Sequence, residues 1–107
     1  MNLKSILAAA AFAPLCVFAA DNEFVLTIKD HRFTPSELRV PAGQKVKLIV
    51  ENQDSTPEEF ESHELKREKI IAAKSKATIN IGPLKPGKYP FFGEFNPSTA
   101  RGVIIAE

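Results

Sequence analysis

The sequence predicts an all-β domain of two packed sheets, and three observations carry that prediction. Apolar and polar residues alternate in short runs, most cleanly between Lys45 and Glu51, where Val46, Leu48 and Val50 share one face. Alternation with a period of two marks a strand with one buried side. Turn residues recur between the runs, at Pro41-Ala42-Gly43, Gly82-Pro83 and Lys85-Pro86-Gly87-Lys88. No segment carries a long helical period, and short strands at this spacing build sandwiches or barrels.

Taken in order, the chain opens on MNLKSILAAAAFAPLCVFAA. A lone early Lys4, an apolar run from Ile6 to Phe18 and a small-residue exit at Val17-Phe18-Ala19 have the form of a secretory signal peptide, cut after Ala19 or Ala20. The run is too short and too Ala-rich for a membrane span. The Ala13-Pro14-Leu15 stretch before Cys16 argues against lipidation there. The expected organisation is a signal peptide over 1–19 and one small domain over 20–107.

The strands of that domain are expected over Phe24–Lys29, Glu37–Val40, Lys45–Glu51, Ala77–Ile81, Lys88–Phe92 and Gly102–Ala106. A helical turn between Ser62 and Lys69 is compatible with the sequence but not demanded by it. Cys16 and Met1 leave with the leader, so the mature chain has no disulfide and relies on packing. The expected core is Phe24, Val25, Ile28, Phe33, Val46, Leu48, Val50, Ile79, Phe91, Val103 and Ile105. Fourteen Lys and Arg stand against thirteen Asp and Glu. Without Lys4 the two balance, which points away from nucleic acid and from a membrane surface. No nucleophile has a base beside it and there is no Gly-rich phosphate loop, so hydrolytic and nucleotide chemistry have no support.

Two stretches carry a family resemblance. FTPSELRVPAGQKVKLIVENQD resembles the N-terminal half of a cupredoxin: a Phe-x-Pro entry, a short strand, a Pro-Ala-Gly turn, then an apolar strand ending in Asn. GKYPFFGEFNPSTARGVIIAE resembles the ligand loop and last strand of the same fold. More narrowly, PEEFES followed by GEF is similar to EfeO-type cupredoxin-like domains, periplasmic modules of bacterial iron-uptake systems with a high-affinity iron permease. The resemblance covers the whole mature chain and implies a cupredoxin-like Greek-key β-sandwich in the periplasm. It places Glu58 where a blue-copper protein has its first imidazole, Gly93 at the thiolate and Asn96 at the second imidazole. Thr99, Ala100 or Arg101 fall in the thioether region. A type 1 copper centre needs a thiolate and two imidazoles. With no Cys or Met in the mature chain, that centre is excluded.

What the chain offers instead is oxygen. Glu58, Glu59 and Glu61 fall within four residues, His63 follows, and Glu94 lies on the facing loop. An extended 59–63 segment puts Glu59, Glu61 and His63 on one face, with Glu58 and Phe60 on the other. Carboxylates this close repel one another unless a cation is near. Carboxylates with one imidazole suit iron, manganese or Cu(II) better than Cu(I). Glu58, Glu59, Glu61, His63 and Glu94 are therefore the candidate ligands for an iron or copper ion. The competing reading is a solvated acidic face paired with Lys66, Arg67 and Lys69. Asp30-His31 reads as a turn with a weaker metal contact as its alternative. Tyr89 and the Phe91, Phe92 and Phe95 group read as packing.

Three functions follow as expectations. The first is a periplasmic metal-binding module in ferrous iron uptake, working beside iron-permease components. Such a module would extend to Fe(II) oxidation only with an external electron acceptor or a bound copper. The second is a copper-handling protein without turnover. The third is a metal-free β-sandwich adaptor for a membrane permease. Association as a homodimer through the carboxylate face is consistent with a shared metal site, though nothing in the chain requires it.

Overall fold

A computed structural model describes residues 22–107; the expected signal peptide lies outside the described residues. Nine strands run in order: β1 (Glu23–Lys29), β2 (Arg32–Thr34), β3 (Glu37–Val40), β4 (Val46–Asn52), β5 (Glu58–Ser62), β6 (Arg67–Ile71), β7 (Lys76–Ile81), β8 (Gly87–Gly93) and β9 (Arg101–Ala106). They form the expected two-sheet Greek-key sandwich. One sheet has the order β3-β9-β8-β5-β6 and the other β2-β1-β4-β7. Among the described residues there is no helix, and so none long and apolar enough to cross a membrane. The helical turn compatible with Ser62–Lys69 is instead a tight turn over His63–Lys66 followed by strand β6, with Lys66 at a left-handed φ of 57°.

Period-two alternation decides what fills the interior. On β4, Val46, Leu48 and Val50 point inward; β1 contributes Leu26 and Ile28, and β7 contributes Ile79 and Ile81. The opposite sheet answers with Leu38, Val40, Phe60, Ile71, Phe91, Ile104 and Ala106. Three rings meet at the centre. Phe33 stands edge-on to Phe91 at 4.9 Å and to Phe60 at 6.2 Å, while Phe60 and Phe91 stack at 5.1 Å. Edge-to-face and offset pairs of this kind add to the burial energy of the rings.

Four residues expected inside sit differently. Val25 is 45% exposed, because Leu26 and Ile28 set the inward phase of β1. Phe24 shares that inward phase but is only partly buried against the core. On β9, Ile104 and Ala106 take the core face, so Val103 and Ile105 turn outward and are half-buried. A strand that is apolar on both faces gives no phase of its own.

The β1–β2 hairpin turns on Asp30 and His31, at φ 54° and 59°. Two consecutive left-handed residues match the right-handed twist of a two-residue hairpin, but they disfavour residues other than Gly, Asn and Asp. Asp54 offsets that cost from the neighbouring loop. Its carboxylate accepts the Asp30 N–H at 2.8 Å and the His31 N–H at 3.0 Å. The bond from His31 is the largest influence on Asp54. It outweighs partial burial and, with the Asp30 bond and the His31 and Lys74 charges, holds the carboxyl below its ordinary value of 3.8. A lowered carboxyl contributes stability that is full above the unfolded value and is lost as pH falls through the folded one. Asp54→Ala is therefore expected to lower stability by about 2 kcal/mol near neutral pH. Urea melts from pH 7 downward should show the gap between wild type and variant closing only below the ordinary carboxyl range.

Candidate functional site

Strand β5 sorts its side chains by parity. Glu58, Phe60 and Ser62 point inward and are buried; Glu59 and Glu61 point outward and are half-buried. Ser62 ties the strand to its neighbours, donating to the Pro90 carbonyl at 2.7 Å and accepting the Leu65 N–H at 3.1 Å. The strand ends there and His63 opens the turn, with its side chain still on the outer side beside Glu61. Its imidazole is 74% exposed, with Nδ1 4.0 Å from Glu61 Oε2 and the ring 5.6 Å from that of Phe92.

The outer face gains a member that sequence reasoning missed. Antiparallel pairing of β5 with β6 sets Glu61 directly opposite Glu68. Carboxylate oxygens of Glu59, Glu61 and Glu68 all lie within 4.8 Å of one another. Among the described residues, no Lys or Arg forms an ion pair with any of the three. Arg67, one of the three residues expected to pair with this cluster, donates instead to the backbone carbonyls of Asn80, Leu65 and Lys66. Partial burial, followed by the carboxylates of Glu68, Glu61, Glu94 and Glu58, pushes the Glu59 carboxyl above its ordinary value of 4.5. Glu94 flanks this group through its backbone, donating its N–H to the Glu59 carbonyl at 2.8 Å.

The inner face holds a second constellation. Glu58 is 1% exposed, and its carboxyl group accepts three hydrogen bonds. Oε1 takes the N–H of Glu59 at 2.8 Å and that of Phe95 at 2.8 Å; Oε2 takes the Asn96 side-chain amide at 2.9 Å. The loop that carries Asn96 is closed by its own backbone, with Asn96 N–H on the Gly93 carbonyl, Ala100 N–H on the Asn96 carbonyl and Gly93 N–H on the Ala100 carbonyl. Thr99 adds an anchor from its hydroxyl to the His31 carbonyl at 2.6 Å. The Asp54-held hairpin thus steadies the loop from below. At Gly93 an added Cβ would lie 2.6 Å from Glu58 Cδ and Oε2 and 2.8 Å from the Ala100 Cβ.

Comparison with known proteins now decides the family. The profile of the Cupredoxin-like domain matches residues 3–106. This chain belongs to the cupredoxin-like domain family. An uncharacterized protein of Rickettsia prowazekii (strain Madrid E) is 52% identical over 83 residues, which span 78% of this chain and 66% of that relative. The chain therefore covers just under two thirds of that protein's length. Among solved structures, the amicyanin of Paracoccus versutus (Thiobacillus versutus) aligns at a TM-score of 0.63 and 19% identity, over 83% of this chain and 88% of that one. A chain of a heme-copper terminal oxidase dimer aligns at 0.68 and 18% identity, over 83% and 67%. These likenesses show the fold.

A cupredoxin-like fold implies copper at the position shared by Glu58, Gly93 and Asn96. The residues present do not fit it. The described residues contain neither Cys nor Met. Gly93 offers no side chain, and the Glu58 carboxyl fills the space where one would project. Asn96 turns its amide N–H towards Glu58, so the nitrogen nearest the position is a donor and cannot ligate as an imidazole nitrogen does. Tyr89, expected to pack, is half-buried and donates its hydroxyl to the Lys85 carbonyl at 2.7 Å.

Proposed function

We propose that this cupredoxin-like protein binds a hard cation, iron or Cu(II), on its outer carboxylate face and acts as a periplasmic carrier in iron uptake. The observation that carries the reading is the convergence of Glu59, Glu61 and Glu68 within 4.8 Å, with none of the three in an ion pair with a Lys or Arg among the described residues. Three anionic oxygens held by a strand pair are a donor set for iron, manganese or Cu(II) rather than for Cu(I). A bound cation would also relieve the mutual repulsion that raises the Glu59 carboxyl. His63 and Glu94 stand at the rim, each near one member of the trio, and would complete a shell from opposite ends. The similarity of PEEFES and GEF to iron-permease-associated domains supports iron as the cargo and a permease as the recipient.

Anaerobic titration with Fe(II) and then Cu(II), read by calorimetry and by melting temperature, tests this. Saturable binding near one equivalent is expected. At a hundredfold excess of ion over Kd the native state should gain about 2.7 kcal/mol. Glu61→Gln should remove most of the metal-induced rise, and the Glu59→Gln/Glu61→Gln double variant all of it. Absence of binding by either ion, or a rise that persists in the double variant, would overturn the proposal.

A further inference from the structure

We infer that Glu58 does the structural work that a metal ion does elsewhere in this fold: the family's ligand position is a closed hydrogen-bonded lock that takes no metal. Metal response and loop order are thereby separated onto the two faces of β5. The lock is built from atoms already described. Its centre is the carboxyl group of a fully buried residue, and its three partners are all donors. A carboxylate accepts at about four lone-pair positions, so most of this group's capacity is already committed to the protein. The donors come from both sides of the position: Glu59 on β5, and Phe95 and Asn96 on the loop after β8. One side chain therefore joins the two segments that would otherwise meet at an ion.

Gly93 is the second half of the device. Strand pairing sets Gly93 directly opposite Phe60, beside Glu58. Its φ lies outside the left-handed range, so no backbone conformation demands glycine there. Space does. A side chain beginning at Gly93 would occupy the volume of the Glu58 carboxyl, with Cβ 2.6 Å from Cδ and Oε2. The fold can hold a side chain at position 93 or the Glu58 lock, but not both. The short side chain of Ala100, on the far side of the same gap, is buried completely. Ligation by Glu58 beyond its one remaining lone-pair position would require its carboxyl to release donors into a buried site, each at the cost of an unsatisfied group.

A double-mutant cycle on the full chain tests the lock. Gly93→Ala should lower Tm sharply in the wild-type background and by clearly less in the Glu58→Ala background, because the first change removes the atoms the second collides with. Equal drops in both backgrounds would overturn the inference. Where Glu58→Ala does not fold, Glu58→Gln gives a second reading. Glutamine keeps the volume but turns an amide donor towards Asn96 or Phe95, so the metal-free Tm should fall. The amide proton resonances of Glu59 and Phe95 should move together. With Fe(II) or Cu(II) added, Glu58→Gln should retain the same melting rise as wild type, while Glu59→Gln/Glu61→Gln should lose it. Loss of the rise in Glu58→Gln with the metal-free Tm unchanged would make Glu58 a ligand and overturn the lock. If no ion raises Tm in any variant, the outer-face proposal fails, and the Gly93–Glu58 cycle still decides the lock.

Discussion

Phe60→Ala should remove about 3–5 kcal/mol of stability, the usual cost of truncating a buried phenylalanine. In a domain of this size that corresponds to a Tm lowered by roughly 15–30 °C. The ring is fully buried and packs against both Phe33 and Phe91, so its loss opens a void lined by the other two rings. The site is affected along with the core. Phe60 is the inward residue between outward Glu59 and Glu61, and its seating fixes the pitch of that strand. Thermal melts of the metal-free variant check the stability. Calorimetry at a temperature where the variant remains folded should show weakened ion binding although no carboxylate has changed. Phe60→Leu, which fills most of the void, should recover much of both.

The second large effect is expected at Gly102. An added Cβ there would press against the Cζ edge of the Phe91 ring and come within 2.8 Å of its Cε1 and of the Ser36 carbonyl. Neither neighbour can yield cheaply. The ring is held by Phe33 and Phe60, and the carbonyl accepts the Val103 N–H at 2.8 Å. Gly102→Ala should therefore leave little folded protein at 37 °C, because overpacking of a few kcal/mol consumes much of a small domain's margin. Far-UV circular dichroism and soluble yield read the outcome. A Gly102→Ala/Phe91→Leu variant, which shortens the ring, should regain the β signal. A Gly102→Ala variant that melts like wild type would show that the ring has room to move.

Much of the sandwich was legible because its strands carry their burial pattern locally. Lys45 to Glu51 shows the alternation that β4 uses, and Glu37 to Val40 forms β3 at the expected residues. Phe60 was readable as a core plug from parity alone. Strand β6 was not readable. Arg67, Glu68, Lys69 and Ile70 are all exposed, so an edge strand with solvent on both faces leaves no amphipathic trace. Glu68 was lost with it, since only the register with Glu61 brings it to the carboxylate group. Nothing in Ser62-His63-Glu64 announces that the strand stops at Ser62, yet the His63 imidazole still reaches Glu61 on the outer face. The pairing of Glu58 with Asn96 spans 38 positions, and no local pattern encodes a hydrogen bond across that distance. Even so, the family resemblance put both residues at one position of the fold, and the geometry supplies what links them.

Strand β6 also has a bearing on how copies of this chain behave in company. It is the open border of its sheet, with β5 on one side only, and such a border offers unpaired backbone groups to any passing chain. Here the border carries alternating charge, Arg67, Glu68 and Lys69, before the apolar Ile70 that is 58% exposed. A second copy approaching edge to edge would have to strip water from those charges to add its own strand. The same residues that give the sequence so little pattern make edge-to-edge addition of a second strand costly.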